Sequence, residues 1–443
     1  MLHPSSTPST PPPIAGEHPQ LHQPECLPAA TEVLIVGAGP TGMALAIALQ
    51  QAGVKHVIID KLQQGLNTSR AGVIHAHTLE MLESLGVSRQ LVQLGIPLSN
   101  FCIRNRQGVL LKLQFNPLPT PYHYLLMLPQ DLTEKVLSDR LTALGGHIFR
   151  GVTATAVTQD PAGVSVTLAT PSGPASLRAQ YVVGADGMHS IVRAAAGIGF
   201  EGGTYEESFV LADVRMDWAL ANEVSLFFSP LGLVVVAPLP NGIFRVVATV
   251  HQAPEQPGVD DIQALLDSRG PAAGTDKVKE VLWSSRFRLH HRVANDYRNG
   301  RLLVMGDAAH VHSPAGGQGM NTGLVDAVVL GQLLARAVRA ADGSAILDTY
   351  RKMRRPAASR VLALAGRLTT LATLRGAAKL ALRNGLLSFI NRLPFVRRRI
   401  AMELSGLSRR SFAQLPAAIA QSPAAVAPVP NHTVAARLPD CPS

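Results

Sequence analysis

The chain contains 443 residues, of which 47% are hydrophobic, and this composition is ample for a large core in two to three domains. Its 40 Lys and Arg outnumber its 30 Asp and Glu, which gives a formal net charge of +10. Nucleic acid is not an expected partner, because no nucleic-acid-reading module accompanies the charge.

The cysteines and the apolar runs exclude further classes of protein. Cys26, Cys102 and Cys441 form no C-x-x-C or Cys/His spacing, so we expect neither a disulfide framework nor a metal site. No run of about 18 apolar residues occurs, which argues against a membrane-spanning segment. The sequence therefore predicts a cytoplasmic protein, with peripheral contact to a membrane as an open alternative.

Both ends of the chain have compositions typical of disorder. Residues 1–28 include eight prolines and no apolar run, which indicates neither a signal peptide nor a membrane anchor. Residues 413–443 are rich in Ala and Pro. We therefore predict two disordered tails.

The first predicted unit is a strand, a glycine-rich turn and a helix. Residues 33–36 are an apolar run, and residues 37–42 follow as G-x-G-x-x-G before a helical pattern begins. A second apolar run, residues 56–59, ends at Asp60, 23 residues after Gly37. This is the spacing of a dinucleotide-binding fingerprint, in which a pyrophosphate lies at the helix N-terminus and the acid accepts ribose hydroxyl groups.

The middle of the chain predicts strands. Residues 181–183 form a short apolar run before Asp186-Gly187, and this pattern alone also fits an ordinary strand, turn and capped helix. Residues 223–250 alternate between apolar and polar positions, which predicts an antiparallel meander, and residues 101–127 are expected to add strands to it. Four side chains of the meander either line a substrate pocket or belong to the sheet core: Phe227, Phe228, Val236 and Phe244.

The third predicted unit lies at residues 301–334. The apolar run 302–305 ends in Gly306-Asp307, a loop of small residues follows, and a helical pattern opens near Met320-Asn321. The acid can accept hydrogen bonds from ligand hydroxyl groups, and the helix N-terminus offers N–H groups and partial positive charge. Such a site favours a flat polar ligand that gains negative charge on one edge, as reduced flavin does.

The ordered motifs GAGPTG, GADGMHSIVR and GDAAHVHSPAGGQGMNTGLVDA resemble the group A flavoprotein monooxygenases, the family of para-hydroxybenzoate hydroxylase, between about residues 31 and 367. The resemblance implies FAD as cofactor, with Asp60 on the adenosine ribose and Asp307 on the ribityl chain. It implies that the cofactor-binding residues are Gly37, Gly39, Pro40, Thr41, Gly42, Asp60, Lys61, Arg70, Gln130, Asp186, Gly306, Asp307, Pro314, Gly317, Gly319, Met320 and Asn321.

The implied fold class is α/β, or α+β overall: a Rossmann-type FAD-binding domain, an inserted and mainly antiparallel β-sheet substrate domain, and a C-terminal helical segment. We predict a discontinuous FAD-binding domain at residues 29–100, 128–200 and 285–367 and a substrate domain at residues 101–127 and 201–284. A basic helical segment at residues 368–412 follows.

The implied function is FAD-dependent monooxygenation, in which NAD(P)H and O₂ hydroxylate an aromatic, phenolic or polycyclic small molecule through a flavin C4a-hydroperoxide. An epoxidase, a prenylated-ring hydroxylase or an oxidase on a lipophilic substrate is the enzymatic alternative, and a non-catalytic flavin-binding partner protein is the alternative of another class. Pro314, His310 and Tyr205 are the catalytic candidates, although a loop histidine such as His310 more often has a structural role.

The basic charge of the chain is local. Residues 351–410 contain fifteen Lys and Arg but only one acid, Glu403. The apolar spacing within this segment predicts helices. Its basic residues form a solvated face, rest on an anionic membrane surface, or dock an acidic carrier protein.

Overall fold

The structure is a computed structural model that describes residues 26–65, 71–250, 253–271, 276–374 and 376–421. The strands in chain order are β1 (Ala30–Val36), β2 (His56–Asp60), β3 (Val73–Ile74), β4 (Ile96–Leu98), β5 (Asn100–Asn105), β6 (Gly108–Gln114), β7 (Leu125–Met127), β8 (Ile148–Arg150), β9 (Thr153–Asp160), β10 (Gly163–Thr170), β11 (Gly173–Gly184), β12 (Phe200–Met216), β13 (Val224–Ser229), β14 (Gly232–Leu239), β15 (Ile243–Val250), β16 (Val278–Ala294), β17 (Arg298–Asn299), β18 (Leu302–Val304) and β19 (His310–Val311).

The helices cover the sheets and form the C-terminal part of the described chain. In chain order they are α1 (Pro40–Gln51), α2 (Ala76–Glu83), α3 (Ser88–Leu94), α4 (Gln130–Ala143), α5 (Ile191–Ala195), α6 (Val259–Arg269), α7 (Gly319–Ala337), α8 (Ser344–Thr373), α9 (Ala377–Ile390), α10 (Pro394–Leu404) and α11 (Ala417–Ala420). Short 3₁₀ turns occur at Pro240–Gly242, Gly306–Ala308 and Leu407–Phe412.

The first sheet is the dinucleotide-binding sheet. Its strands follow the order β17-β18-β11-β1-β2-β8, and the four pairings from β18 to β8 are parallel. The strands β1, β2 and β18 are short and almost wholly apolar, because helices bury both of their faces. A β9–β10 hairpin extends antiparallel from β11. This sheet and its helices confirm the predicted Rossmann-type domain.

The second sheet follows the order β19-β16-β12-β15-β14-β13-β5-β6 and is antiparallel except where β13 pairs with β5. The predicted meander is therefore present, and the region 101–127 does contribute strands to it. β7 is an exception, because it pairs with β3 and β4 in a separate three-stranded sheet. β16 runs through the boundary predicted between residues 284 and 285, so one strand belongs to both predicted domains.

The C-terminal segment is helical, and it packs against the rest of the protein. α9 and α10 rest on β6, where the Asn391 side-chain oxygen accepts a hydrogen bond from the Lys112 amide. The prediction of disorder from residue 413 onward was wrong for residues 413–421. α11 is ordered against α7, because Arg336 Nε donates to the Ile419 carbonyl oxygen at 3.1 Å and apolar residues here contact the main core. Residues 1–25 and 422–443 lie outside the described residues.

Candidate active site

Three strand ends meet at one edge of the parallel sheet. β11 lies between β1 and β18, and all three strands run in the same direction. The Ala185 amide donates to the Val36 carbonyl oxygen at 2.8 Å, and the Met305 amide donates to the Gly184 carbonyl oxygen at 3.0 Å. The three sequence motifs therefore leave the sheet side by side, at the edge where α/β sheets bind their ligands.

The fingerprint turn has room for a ligand at one position only. Gly37 has a φ of 106°, and a side chain there would clash with the Ala185 carbonyl oxygen. Gly39 differs, because no heavy atom lies within 4 Å of the position where its Cβ would be. This open space lies in front of the N-terminus of α1, whose first residue is Pro40. Helix N–H groups facing an open space are a site for a phosphate group.

Asp60 connects the second strand to the fingerprint turn. One carboxylate oxygen accepts a hydrogen bond from the Ala38 amide at 2.7 Å, and the other accepts from the Leu62 amide at 2.8 Å. Each oxygen has further lone-pair capacity. The carboxylate can therefore shape the turn and still accept ribose hydroxyl groups. Lys61, the next residue, is exposed.

The third motif packs directly on the first. The Thr41 hydroxyl group lies 3.0 Å from the position that a Cβ on Gly306 would take, and it also blocks the Cβ position of Gly323 in α7. Asp307, beside Gly306, is exposed at this edge of the sheet. Gly37 and Asp307 therefore lie at the same edge of the sheet, as the expectation of a single flavin site requires, and we call the surface between them the groove.

Arg193 joins the second motif to the third. One guanidinium nitrogen donates to the Ala308 carbonyl oxygen at 2.8 Å, and the other donates to the Met188 carbonyl oxygen at 2.7 Å. Asp186 starts the helix in the same motif, because one of its carboxylate oxygens accepts from the Ile191 amide at 2.8 Å. Burial raises the pKa of Asp186. Asp186 therefore assists the N-cap residue of α5, Ser190, whose hydroxyl oxygen accepts from the Arg193 amide at 2.9 Å.

A buried ion-pair network, which we call the Asp326 network, supports the Gly306 turn. The fully buried Asp326 accepts hydrogen bonds from His310 Nε2 at 2.6 Å, from Arg354 Nε at 2.7 Å and from the Gly306 amide at 3.2 Å. The pKa of Asp326 is lowered: burial opposes the charged form, but the adjacent His310 and Arg354 outweigh it. His310, proposed as a catalytic candidate, is 1% exposed and belongs to this network. Its geometry favours the structural role.

The side chain of Asn321 hydrogen-bonds the N-terminus of α7 to the neighbouring backbone. Its Oδ1 accepts from the His75 amide at 2.8 Å, and its Nδ2 donates to the carbonyl oxygens of Val73 and Gly317 at 2.9 and 2.8 Å. The amide group is thus used within the protein. A flavin edge at this helix would be bound by the backbone N–H groups of Gly319 and Met320, which point out of the first turn.

The C-terminal segment reaches the loop before α7. Gln318 Nε2 donates to the Leu404 carbonyl oxygen at 2.9 Å, and Gln318 Oε1 accepts from Arg409 at 2.7 Å. His75 Nε2 lies 2.8 Å from the Gly316 carbonyl oxygen, to which it donates. Burial is the main reason why the pKa of His75 is lowered to about 4. The loop is therefore held by a neutral histidine and by the segment after α10.

The remaining predicted residues differ in what the structure says of them. Gln130 Oε1 accepts from the Ala71 amide at 3.2 Å, so Gln130 holds the chain that follows residues 66–70. The Pro314 carbonyl oxygen accepts from the Gly317 amide at 2.8 Å and closes a turn in the loop before α7. Arg70 and the side chain of Tyr205 lie outside the described residues.

The four pocket candidates fall on opposite faces of the second sheet. Phe227, Val236 and Phe244 pack with Ile262 and Leu266 of α6, so the expectation that these three line a pocket is corrected: they form the core behind the sheet. Phe228 points to the other face, where the Arg383 guanidinium lies 4.3 Å from the centre of its ring. Side chains alternate along a strand, and neighbours such as Phe227 and Phe228 must therefore separate.

One ion pair lies among the apolar residues of that inner face. Arg245 and Asp213 are directly opposite each other on β15 and β12, and two guanidinium nitrogens donate to the two carboxylate oxygens at 2.8 Å each. Arg245 is only 4% exposed. Its guanidinium also packs beside Gly72, and Val73, the next residue, packs on Gly317. The pair consequently lies between the sheet and the loop before α7.

The comparisons with known proteins agree with this geometry. The family described as "FAD binding domain" matches residues 30–365. An aromatic compound monooxygenase of Bacillus subtilis (strain 168), YhjG, is 35% identical over 92% of this chain and 80% of its own length. The 6-methylpretetramide 4-monooxygenase of Streptomyces rimosus is 36% identical over 91% of this chain and 74% of its own. This chain belongs to the group A FAD-dependent monooxygenases.

The same family contains solved structures with this architecture. The p-nitrophenol 4-monooxygenase of Pseudomonas putida DLL-E4 superimposes on the monooxygenase with a TM-score of 0.78 at 26% identity, over 85% of this chain and 98% of that one. FAD as cofactor is therefore established for this monooxygenase, and the open cradle at Gly39 fits a dinucleotide phosphate.

The sequence prediction missed several residues that organise the site. Asp326 carried a signal, because it is a single acid within the apolar pattern of α7. Asp213 and Arg245 carried a similar signal as charges inside apolar strand runs. Gln318 and Arg409 had none, since they are 91 residues apart and nothing local relates them.

Among the residues that the structure describes, there is no group of three or more His, Cys, Asp and Glu side chains placed to bind a metal ion. In the same part of the chain, no helix combines the length and apolar character needed to cross a bilayer.

Proposed function

We propose that this monooxygenase uses NAD(P)H and O₂ to hydroxylate an electron-rich phenolic or polycyclic ring. The observation that carries the proposal is that the three strand ends lie beside an antiparallel sheet whose inner face combines many apolar side chains with the buried pair Arg245–Asp213. A flat, lipophilic substrate fits such a surface. The anhydrotetracycline monooxygenase of Streptomyces rimosus, which is 34% identical over 75% of this chain, supports a polycyclic substrate.

Each part of the groove then has a role toward FAD. The open space at Gly39 and the N-terminus of α1 would bind the pyrophosphate, Asp60 the adenosine ribose and Asp307 the ribityl chain. The backbone N–H groups at the start of α7 would stabilise negative charge on the pyrimidine edge. When bound, FAD supplies hydride acceptance from the nicotinamide and oxygen activation for transfer to the substrate.

The protein itself contributes orientation and exclusion of water. Phe228 and its neighbours Leu233 and Ala237 on the inner face are buried and apolar. A water-poor pocket favours oxygen transfer over loss of the activated oxygen as hydrogen peroxide. Arg245 provides the polar contact on this face, and because its charge is balanced by Asp213 it can meet a substrate oxygen without an uncompensated buried charge.

The reaction is tested with the holoenzyme and labelled dioxygen. We expect phenols, quinones or polycyclic aromatics to stimulate NADH or NADPH consumption and one labelled oxygen atom to appear in the product. A product without label would contradict the proposal and indicate an oxidase. Absence of stimulation by every compound of the panel would indicate a non-catalytic flavin protein instead.

The assignment of the pyrophosphate site is tested by Gly39→Leu. Nothing lies within 4 Å of the Gly39 Cβ position, so the leucine should not disturb the folded apoprotein, but it would occupy the phosphate space. We expect FAD binding to weaken by at least about 100-fold, measured by fluorescence titration of the apoprotein. Gly108→Leu, at the start of β6, also enters open space and is the matched control. Unchanged FAD affinity in Gly39→Leu would refute the assignment.

The basic C-terminal segment extends the proposal to a macromolecular partner of negative charge. Its exposed cations fit an anionic membrane surface or an acidic carrier protein, either of which could deliver a lipophilic substrate. Peripheral location at a membrane would follow from the first of these partners.

A further inference from the structure

The outer face of the C-terminal helices carries exposed apolar side chains. Four large apolar residues of this segment are solvent-exposed: Leu382 (75%), Leu386 (52%), Phe389 (58%) and Phe395 (72%). The two exposed phenylalanines in the set are the only Phe residues among the strongly exposed large apolar side chains of the described chain. Single exposed apolar residues are common on protein surfaces, but four within fourteen residues form a patch that indicates a binding surface.

The patch follows from helix geometry. At 100° per residue, Leu382, Leu386 and Phe389 lie within about 60° of arc on one side of α9. Arg383 and Leu387, about 100° and 140° around the helix from Leu382, are buried. α9 therefore has apolar residues on the side that the protein covers and also on the side that it leaves exposed.

The two helices present one continuous surface. α9 and α10 both rest on β6, and only residues 391–393 connect them. The faces turned away from β6 consequently point outward together, with Phe395 at the start of α10 following shortly after Phe389 at the end of α9. We call this surface the α9–α10 patch, and it consists of Leu382, Leu386, Phe389, Phe395 and the exposed cations beside them.

Positive charge surrounds the apolar residues. The exposed cations of the patch are Lys379, Arg392, Arg398 and Arg399. No acidic residue occurs between Asp348 and Glu403. Two such patches from two copies of the chain would repel each other, which disfavours self-association. Exposed apolar side chains with basic residues beside them are instead the pattern of a helix that lies in the interface of an anionic membrane.

We propose that the α9–α10 patch docks the monooxygenase on an anionic lipid bilayer, with Leu382, Leu386, Phe389 and Phe395 inserted among the acyl chains and the four cations against the lipid headgroups. The inner side of the same helix contacts the substrate sheet, where Arg383 stacks on Phe228. Docking would therefore place the bilayer directly behind a wall of the pocket, on the side from which a lipophilic substrate would arrive.

Vesicle co-sedimentation of the FAD-loaded full chain tests the proposal. We expect binding to vesicles of phosphatidylcholine mixed with phosphatidylglycerol, little binding to pure phosphatidylcholine, and release at high salt. Replacing three apolar residues (Leu382→Ser, Leu386→Ser, Phe389→Ser) or three cations (Arg392→Gln, Arg398→Gln, Arg399→Gln) should each lower the partition coefficient at least about tenfold, because neither signal alone anchors a protein stably.

Matched variants carry the same substitutions elsewhere on the surface. Leu94, Leu231 and Leu282 are exposed leucines outside the patch, and their triple Ser variant should bind vesicles as the wild type does. Lys55, Arg89 and Lys135 are exposed cations outside the patch, and their triple Gln variant should also bind vesicles as the wild type does. All four variants are expected to retain the flavin absorption spectrum and substrate-stimulated NAD(P)H consumption in solution.

Three results would overturn the proposal. Protein that stays in the supernatant with anionic vesicles at low salt would exclude the bilayer. Equal loss of binding in the patch and matched variants would show non-specific adsorption. A dimer in sedimentation velocity that the Leu382/Leu386/Phe389 variant abolishes would assign the patch to self-association. None of these measurements depends on the substrate, so their outcome is separate from that of the proposed hydroxylation.

Discussion

The Asp326 network and the α9–α10 patch use the same residue type in opposite ways. In the network, Arg354 is 2% exposed and donates to a fully buried carboxylate. In the patch, Arg398 and Arg399 are exposed on the solvent side of α10. Both sets belong to the segment 351–410, which the sequence presents as one run of basic charge. The count of basic residues in this segment therefore combined buried arginines that stabilise the fold with exposed arginines that are available to a partner.

The difference lies in what a buried charge requires. A guanidinium removed from water loses hydration and must recover it through hydrogen bonds and an opposite charge. Arg354 replaces its hydrogen bonds to water with one to Asp326, and Arg409 replaces them with bonds to Gln318 and to the Glu403 carbonyl oxygen. An exposed arginine keeps its water and remains available to a partner. Arg354 supports the Gly306 turn through Asp326, Arg409 holds the loop before α7, and the exposed arginines can bind a partner.

Removal of the carboxylate at the centre of the Asp326 network should have the largest effect on stability. Asp326→Asn leaves Arg354 as an uncompensated buried charge, and we expect it to lower the free energy of unfolding by about 3–5 kcal/mol. FAD retention should fall as well, because the Gly306 amide loses a charged acceptor. Urea unfolding and flavin content measure both effects.

Asp348→Asn is the control for that substitution. Asp348 pairs with Arg298 but is 60% exposed, and its loss should cost no more than about 1 kcal/mol. If the two variants were equally stable, the Asp326 network would not be the support of the flavin loop that its geometry indicates.

Substitution of a single arginine should lower the free energy of unfolding less than the loss of Asp326 does. Arg409→Gln removes a buried donor to Gln318, and we expect a loss of about 1.5–3 kcal/mol in the free energy of unfolding. Arg398→Gln changes an exposed residue and should alter the same quantity by less than about 0.5 kcal/mol. Reversal of this order in urea unfolding would show that burial does not separate the two groups of arginines.

The free energy of unfolding should also depend on pH, because His75 is buried. The pKa of His75 is lowered to about 4 in the folded protein, whereas an unfolded histidine titrates near 6.5. Between these values the unfolded state binds more protons, so stability decreases as the pH falls from about 6.5 to about 4, by up to about 1.4 kcal/mol per pH unit. Urea unfolding at several pH values measures the slope.

His75→Asn should make that slope shallower without abolishing it, because burial also lowers the pKa of His312 to about 4 and His312 contributes a slope of the same sign. His123→Asn changes an exposed histidine and is the control. A slope in His75→Asn as steep as that of the wild type would contradict the contribution of His75.

Much of the cofactor site was predictable because its signals are local. The G-x-G-x-x-G turn, Asp60 and Asp307 each follow directly after a buried strand, and the ends of parallel strands must meet at one edge. Arg193 lay in a recognised motif, although its bond to the Ala308 carbonyl oxygen across 115 residues was not predicted. Asn321 was placed at the right helix end, but its side chain is directed inward.

Local sequence patterns were enough to predict the parallel strands, the glycine turns and the acids at the strand ends, because each pattern involves residues within a few positions of one another. The packing of distant elements set which face of the second sheet Phe228 occupies, which arginines are buried, and which side of α9 stays uncovered. These properties depend on which distant element packs against a residue. Periodicity fixes two opposite faces of a strand or helix but does not say which of them meets the protein.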